Sequence, residues 1–248
     1  MKISFFLLHI CSFVYVIVGL QAKAYENNSQ IRFELGGSKS SYNNFSIPNS
    51  SVNKVSLPDK KDINSYRITG RKNLDNDTFL YFLYAPLQIE YKFNSSKTFK
   101  FNDINFNSDY DTTVKYKFNS YRLGYFKELS FGDNIKYWIG GVLKIRDAKI
   151  KVTQNGLSDS YSNIGVVPLL GLGIEYFFNE KISLFSHIDA LGSSKGSAYD
   201  FNAEMICHLN NKNSLGFGYR TLGGGVDNDK LMNFARFETL YISYSLKF

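Results

Sequence analysis

Sulfur, imidazole, proline and indole are all scarce in this chain: 2 cysteines, 3 histidines, 4 prolines and 1 tryptophan among 248 residues. Cys11 lies in an apolar N-terminal leader, so a chain processed behind it keeps Cys207 alone and can form no internal disulfide. His9 leaves with the same leader, and His187 and His208 remain as the only imidazoles available to catalysis. Past the leader no apolar run is long enough for a helical membrane span. A basic helix or compact basic cluster is also missing; the lysines are scattered among Asn, Ser and Asp, so the net charge of +7 does not point to nucleic acid. No residue pattern calls for a cofactor or a resident metal.

The leader itself has the parts of a secretory signal. Lys2 supplies the positive start, Phe5 to Leu20 the apolar stretch, and Ala22-Lys23-Ala24 an A-x-A-like cleavage site before Tyr25. The apolar stretch is shorter than the roughly 20 residues a spanning helix prefers. Residues 1–24 are therefore predicted to be a removed signal peptide, and 25–248 a single domain.

What the chain has in plenty is aromatic residues, 22 Phe and 18 Tyr, set in alternating patterns. The last nine residues show it best. Leu240, Ile242, Tyr244, Leu246 and Phe248 fall on one face of a strand, and Ser243, Ser245 and Lys247 on the other, because successive side chains point to opposite sides. A secreted chain that closes on such a strand with a terminal Phe resembles bacterial outer-membrane β-barrel proteins. The resemblance implies an assembly signal at Tyr244, Leu246 and Phe248 read by the barrel-assembly machinery, and outer-membrane lipid and lipopolysaccharide as surroundings. Ala85-Pro86-Leu87, the stretches 119–123, 144–148 and 167–170, and Gly218 to Asp229 are similar to segments of a family of uncharacterised outer-membrane barrels. That resemblance covers about residues 63 to 248 and implies fold and location, with no activity to carry over.

A period-2 reading gives ten strands, at 29–37, 63–73, 78–93, 112–128, 135–152, 163–178, 181–192, 197–209, 214–224 and 233–248. Tight turns such as Asp75-Asn76-Asp77, Gly132-Asp133-Asn134, Asn179-Glu180 and Asn210 to Asn213 alternate with longer connections, including 38–62 and 94–111. Short periplasmic turns and long outer loops are the layout of an outer-membrane barrel, and an even strand number puts both termini on the periplasmic side. The predicted fold is an all-β, antiparallel transmembrane barrel of ten strands, with eight or twelve as alternatives.

Parity then assigns faces. Residues such as Phe33, Leu80, Phe82, Leu123, Ile139, Leu170, Phe217 and Tyr219 are predicted to face lipid. The opposite face carries charge: Arg67, Arg71, Arg122, Lys144 and Arg146 on the earlier strands, Glu175, Asp189, Asp200 and Glu204 on the later ones, together with Arg32, Glu34, His187 and Arg220. Such a lumen is either an ion-paired filling of a narrow barrel or a selective conduit with a transverse field. Inner glycines, among them Gly171, Gly173 and Gly216, would make room for the long side chains.

Toward the outer ends the polarity inverts. Gln88, Glu90, Lys92, Lys115, Lys117, Lys149 and Lys151 take the outer face, while Ile89, Tyr91, Val114, Tyr116, Phe118, Ile150 and Val152 face inward. The physical reading is a water-exposed extension with an apolar interior, either a packed core or a pocket for an apolar ligand; a parity-shifting bulge would mimic it.

Three functions compete on this sequence: a non-enzymatic surface or envelope protein, a narrow pore or small apolar-ligand carrier, and an outer-leaflet lipid-modifying enzyme or protease. For the enzyme, His187 and Asp189 share a face two residues apart with Ser193 and Ser194 beyond, yet His187 falls near mid-membrane. The omptin proteases are also ten-stranded, but their catalytic Asp and His pairs find no counterpart here. Asp227-Asn228-Asp229 offers oxygen ligands for Ca²⁺, too few for a complete loop and equally suited to a hairpin tip.

Overall fold

The computed structural model describes residues 29–132 and 134–248, so the leader, Cys11 and Asp133 lie outside the described residues. Each of the ten predicted strands is strand over most of its length, and the third is interrupted at Pro86-Leu87. The elements are β1 (Gln30–Ser46), β2 (Val55–Ser56), β3 (Lys60–Asn73), β4 (Thr78–Ala85), β5 (Gln88–Asn94), β6 (Phe99–Phe101), β7 (Ile104–Phe106), β8 (Asp111–Phe131), β9 (Ile135–Gln154), β10 (Leu157–Phe177), β11 (Ile182–Ser193), β12 (Gly196–His208), β13 (Asn213–Asp227) and β14 (Met232–Lys247). β14 pairs back onto β1 from Gln30↔Lys247 to Ser46↔Met232, which closes the sheet and removes its edges. With β4 and β5 forming one stave broken at Pro86-Leu87, and β2 a short addition at the rim, the wall is an antiparallel barrel of ten staves.

Side-chain carboxylates and amides build the short turns at the end of the barrel where Ser29 meets Phe248, the end expected to face the periplasm. Asp75 Oδ1 accepts the N–H groups of Asp77 and Thr78, Asn179 Oδ1 those of Lys181 and Ile182, and Asn210 Oδ1 those of Lys212 and Asn213. The outer connections are less loop-like than their composition predicts. β1 runs on to Ser46 and β3 starts at Lys60, so much of 38–62 is strand; residues 94–111 hold the separate β6–β7 hairpin; and β9 and β10 meet at Asn155-Gly156, both at positive φ (44° and 80°). Asn-Gly is the pair that accepts this mirror-image turn, and it lets two strands of 20 and 21 residues run together with no loop between them.

The staves are not joined over their full height. The β3–β4 ladder ends at Ile68↔Tyr84, next to Pro86; above it β3 pairs with β1 and β5 with β8. On the other side the β10–β11 ladder ends at Leu170↔Ala190, two residues below Pro168. Each proline lacks the N–H that a central ladder position needs, so each marks where a ladder stops.

Parity holds along β8, β9 and β10, whose ladders show no register shift, so the polarity inversion there is not a bulge. The described shifts flank Ser40 on β1, against β14 and against β3. Around mid-height the outer face is apolar and open: Leu123 is 47%, Ile139 51%, Leu170 61%, Phe217 59% and Ile242 62% exposed. An apolar belt encircling a closed barrel is stable against lipid and not against water.

Candidate functional site: a charged lumen beneath an apolar cap

Inward-facing charges from six staves meet at mid-height. Asp200 on β12 accepts from Arg67 of β3 (2.7 Å) and Arg122 of β8 (2.6 Å), with Arg220 Nε of β13 at 3.5 Å. Asp189 on β11 takes the other arm of Arg122 at 2.6 Å. Glu34 receives Arg220 and, at 3.3 Å, Arg32 Nε. Glu204 receives Arg32, Ser243 and, at 3.2 Å, the hydroxyl of Tyr241. These four arginines and four carboxylates are 0–9% exposed. Burying an ion is tolerable only when it is paired and hydrogen-bonded, and here each carboxylate faces at least one arginine and accepts at least one hydrogen bond.

Of the residues singled out in the sequence, Arg67, Arg122, His187, Asp189, Asp200, Glu204 and Arg220 share this network. Arg71 and Glu175 sit below it, near the periplasmic mouth. Arg71 pairs with Glu128 at 2.6 Å and lies 3.7 Å over the ring of Phe79, while Glu175 accepts from Ser183 at 2.6 Å beside His208. Lys144 stands directly across from Arg122 on the neighbouring stave, with Arg146 beyond it toward the cap, and neither makes an ion pair among the described residues: the Lys144 ammonium is 4.8 Å from the Phe118 ring centroid, and Arg146 donates to Asn163 at 2.7 Å. The basic staves β3 and β8 do face the acidic staves β11 and β12, and the two sets touch directly across the lumen.

An aromatic layer that the charge pattern did not flag fills the space around the network. Phe79, Phe126 and Trp138 are 0–5% exposed, and Phe185 packs against them. The missing side chains of glycines hold them: a Cβ at Gly171 would meet Phe126, and one at Gly173 would overlap the indole of Trp138. The signal was available in the same parity that gave the charges, since Trp138 alternates with lipid-facing Tyr137 and Ile139.

His187 belongs to this packing. Trp138 Nε1, which can only donate, gives its proton to His187 Nδ1 at 3.0 Å, so Nε2 carries the imidazole proton and donates to Asp189 Oδ1 at 2.8 Å. Neither ring nitrogen is left to act as a base. Ser193, the serine a triad would need, donates instead to the carbonyl of Gly196 at 3.2 Å on a hairpin tip. Asp227 Oδ1 accepts from Asn49 at 2.8 Å, and Asn228 Oδ1 holds the N–H groups of Lys230 and Leu231. Among the described residues no group of three or more His, Cys, Asp or Glu is placed to hold a metal.

Below the network a cavity of about 770 Å³ is lined by Arg71, Glu128, Lys136, Trp138, Phe177 and His208. Its lining residues include the turn Asn210-Asn211 and the end of β14, which places it at the periplasmic mouth. Above the network the inverted segments form a packed core. Tyr91, Val114, Tyr116 and Val152 from the walls close around Phe45 of β1 and around Phe99, Phe101 and Phe106, which the β6–β7 hairpin carries into the mouth at 0–2% exposure. Burial pushes the phenols of Tyr91 and Tyr116 up, with hydrogen bonds to Ser40, Asn43 and Asn233 acting the other way, so both enter the cap as neutral donors.

No protein-family model matches this chain, and no curated protein does. Solved structures do. The outer membrane protease OmpT from Escherichia coli superposes with a TM-score of 0.58 at 8% identity, over 92% of this chain and 99% of that one. The translocator domain of the autotransporter NalP from Neisseria meningitidis gives 0.47 at 10% identity, over 97% and 95% of the two chains. Ail, the attachment invasion locus protein of Yersinia pestis, solved in complex with a heparin analogue, gives 0.41 at 11%, over 88% and 99%. The likeness to OmpT is one of fold: this chain has the architecture of bacterial outer-membrane β-barrels.

Proposed function

We propose that this protein is a sealed barrel of the bacterial outer membrane with a structural or surface role, neither a pore nor an enzyme. The observation that carries the reading is the double closure of its interior. At mid-height Arg122, Asp189 and Asp200 are 0–5% exposed and bridge opposite staves; above them Phe45, Phe101 and Phe106 are 0% exposed. A solute crossing the barrel would have to break paired buried charges and then part an apolar core.

The same observations weigh against the alternatives. A conduit needs a wet charged lining, and these charges face each other instead. An apolar-ligand carrier needs an empty mouth, and the β6–β7 hairpin occupies it. A hydrolase needs a free base near a nucleophile, and both nitrogens of His187 are engaged. What the barrel offers its surroundings is its packed outer end. The test is planar-bilayer recording of the refolded chain, in which an inserted barrel is expected to stay electrically silent.

A further inference from the structure

The strands that rise past the lipid belt carry lysines in opposed register. On the outer face Lys117 of β8 lies directly across from Lys149 of β9, and Lys115 directly across from Lys151. Directly opposed residues hold their Cβ atoms about 5 Å apart, where like charges repel. Two carboxylates relieve half of the square: Asp147 pairs with Lys117 at 2.8 Å, and Glu90 with Lys115 at 3.3 Å. Lys149 and Lys151 are exposed and make no ion pair among the described residues; their neighbours on β10 are Ser162 and Ser160. A solvated lysine face needs no such register, and two adjacent like-charge pairs are an arrangement that an anion would relieve.

Height decides which anion. One step down the same strands, Ile164 stands opposite Asp147 and Val166 opposite Ile145, and these side chains are exposed by 75% (Ile164), 64% (Val166) and 46% (Ile145). They form the upper border of the apolar belt. At ~3.3 Å per residue, Lys149 and Ser162 stand about 7 Å above that border along the strand, and Lys151 about 13 Å. The ligand that matches cations and hydroxyls directly above an exposed apolar wall is an amphiphile with an anionic head. We propose that Lys115, Lys117, Lys149 and Lys151 bind the phosphate groups of a lipid in the leaflet around the outer end of the barrel. This rests on the membrane-barrel reading above and adds the site and the ligand chemistry.

The test uses the full folded chain in detergent micelles, its barrel verified by heat-modifiable gel migration. Native mass spectrometry follows titration with diphosphorylated lipid A, with the same lipid stripped of its phosphates, and with inorganic phosphate. The diphosphorylated lipid is expected to bind at least about tenfold more tightly than the stripped one, and less tightly as salt is raised. The double variant Lys149→Gln/Lys151→Gln is expected to lose about tenfold for the phosphorylated lipid alone. Lys127→Gln, on the outer face at the periplasmic end, is expected to bind like the parent. Equal binding of the two lipids, or an unchanged affinity in the double variant, would overturn the site; inorganic phosphate binding as tightly as the lipid would overturn a lipid as its occupant. Failure of the barrel to insert into bilayers would count against the membrane reading itself, and it is scored separately from lipid selectivity.

Discussion

Arg67 on β3 and Asp200 on β12 meet at 2.7 Å across the middle of the barrel, although 133 positions separate them in sequence. Their contact braces opposite walls and places a buried ion pair where a channel would need water. Removing one partner leaves the other charge buried and uncompensated, at a cost of about 3 to 5 kcal/mol. Asp200→Ala is expected to destabilise the barrel by that order, because Arg67 and Arg122 lose an acceptor and Arg220 a nearby counter-ion. Arg67→Met, which leaves Asp200 with Arg122 and Arg220, should cost less. Urea titration in micelles checks both, and equal, negligible shifts would show that the network is not paired as described.

Trp138 is the single tryptophan of the chain and therefore reports on the aromatic layer. A Cβ added at Gly173 would overlap its indole. Gly173→Ala is expected to displace the ring, weaken the bond to His187 and cost about 1 to 3 kcal/mol, as overpacking does. The emission maximum should shift to longer wavelength as the indole N–H finds water. Gly141→Ala, whose added Cβ meets nothing within 4 Å, should leave both emission and stability nearly unchanged.

The raised phenols of Tyr91 and Tyr116 set an alkaline limit on the cap. Unfolded tyrosine ionises near 10, about its model-peptide value. A folded pKa above that means the folded cap holds its protons more tightly, so the contribution is fully present below pH ~10 and is lost as pH rises through the folded values. Tyrosinate absorbance should show these two groups titrating late, with the late component reduced in Tyr91→Phe and Tyr116→Phe. Titration of both with the exposed tyrosines would contradict their burial.

Tyr244 and Leu246 follow one another on the outer face of β14 and Phe248 continues that alternation just past its end, with Tyr244 40% and Phe248 53% exposed, and Phe248 exchanges backbone hydrogen bonds with Ser29 at 2.9 and 3.1 Å. If that face is the assembly signal, deleting Phe248 should lower the amount of barrel in cellular outer membranes several-fold while in vitro refolding into micelles changes little. Equal losses in both would make the residue merely structural.

The wall of this barrel was legible because lipid and lumen impose a strict period of 2 on every stave, and Ile139 next to Gly140 or Leu123 next to Arg122 cannot exchange faces. The luminal charges were legible for the same reason. Their partners were not: nothing local in Arg122 points to Asp189 rather than Glu204, since the choice depends on how the sheet closes. The cap was hidden more deeply. Residues 94–111 are rich in Asn, Ser and Asp and read as loop, yet Phe99, Phe101 and Phe106 among them supply the center of a core whose walls come from strands far away in sequence. The prolines at 86 and 168 were a signal for the two ladder ends, since a residue without an N–H does not fit a central ladder, but the alternation that runs through both positions masked it.

The central claim is that the interior is closed twice, and planar-bilayer recording tests it most directly. The inserted parent chain is predicted to be silent. A variant with residues 97–108 replaced by a short Gly-Ser link should also be silent, because the ion-paired layer below remains. Only that deletion combined with Arg122→Ala and Asp200→Ala should give discrete steps. Steady, discrete conductance from the parent chain, altered by Arg122→Ala or Asp200→Ala alone, would contradict the account and make the charged layer the lining of a pore.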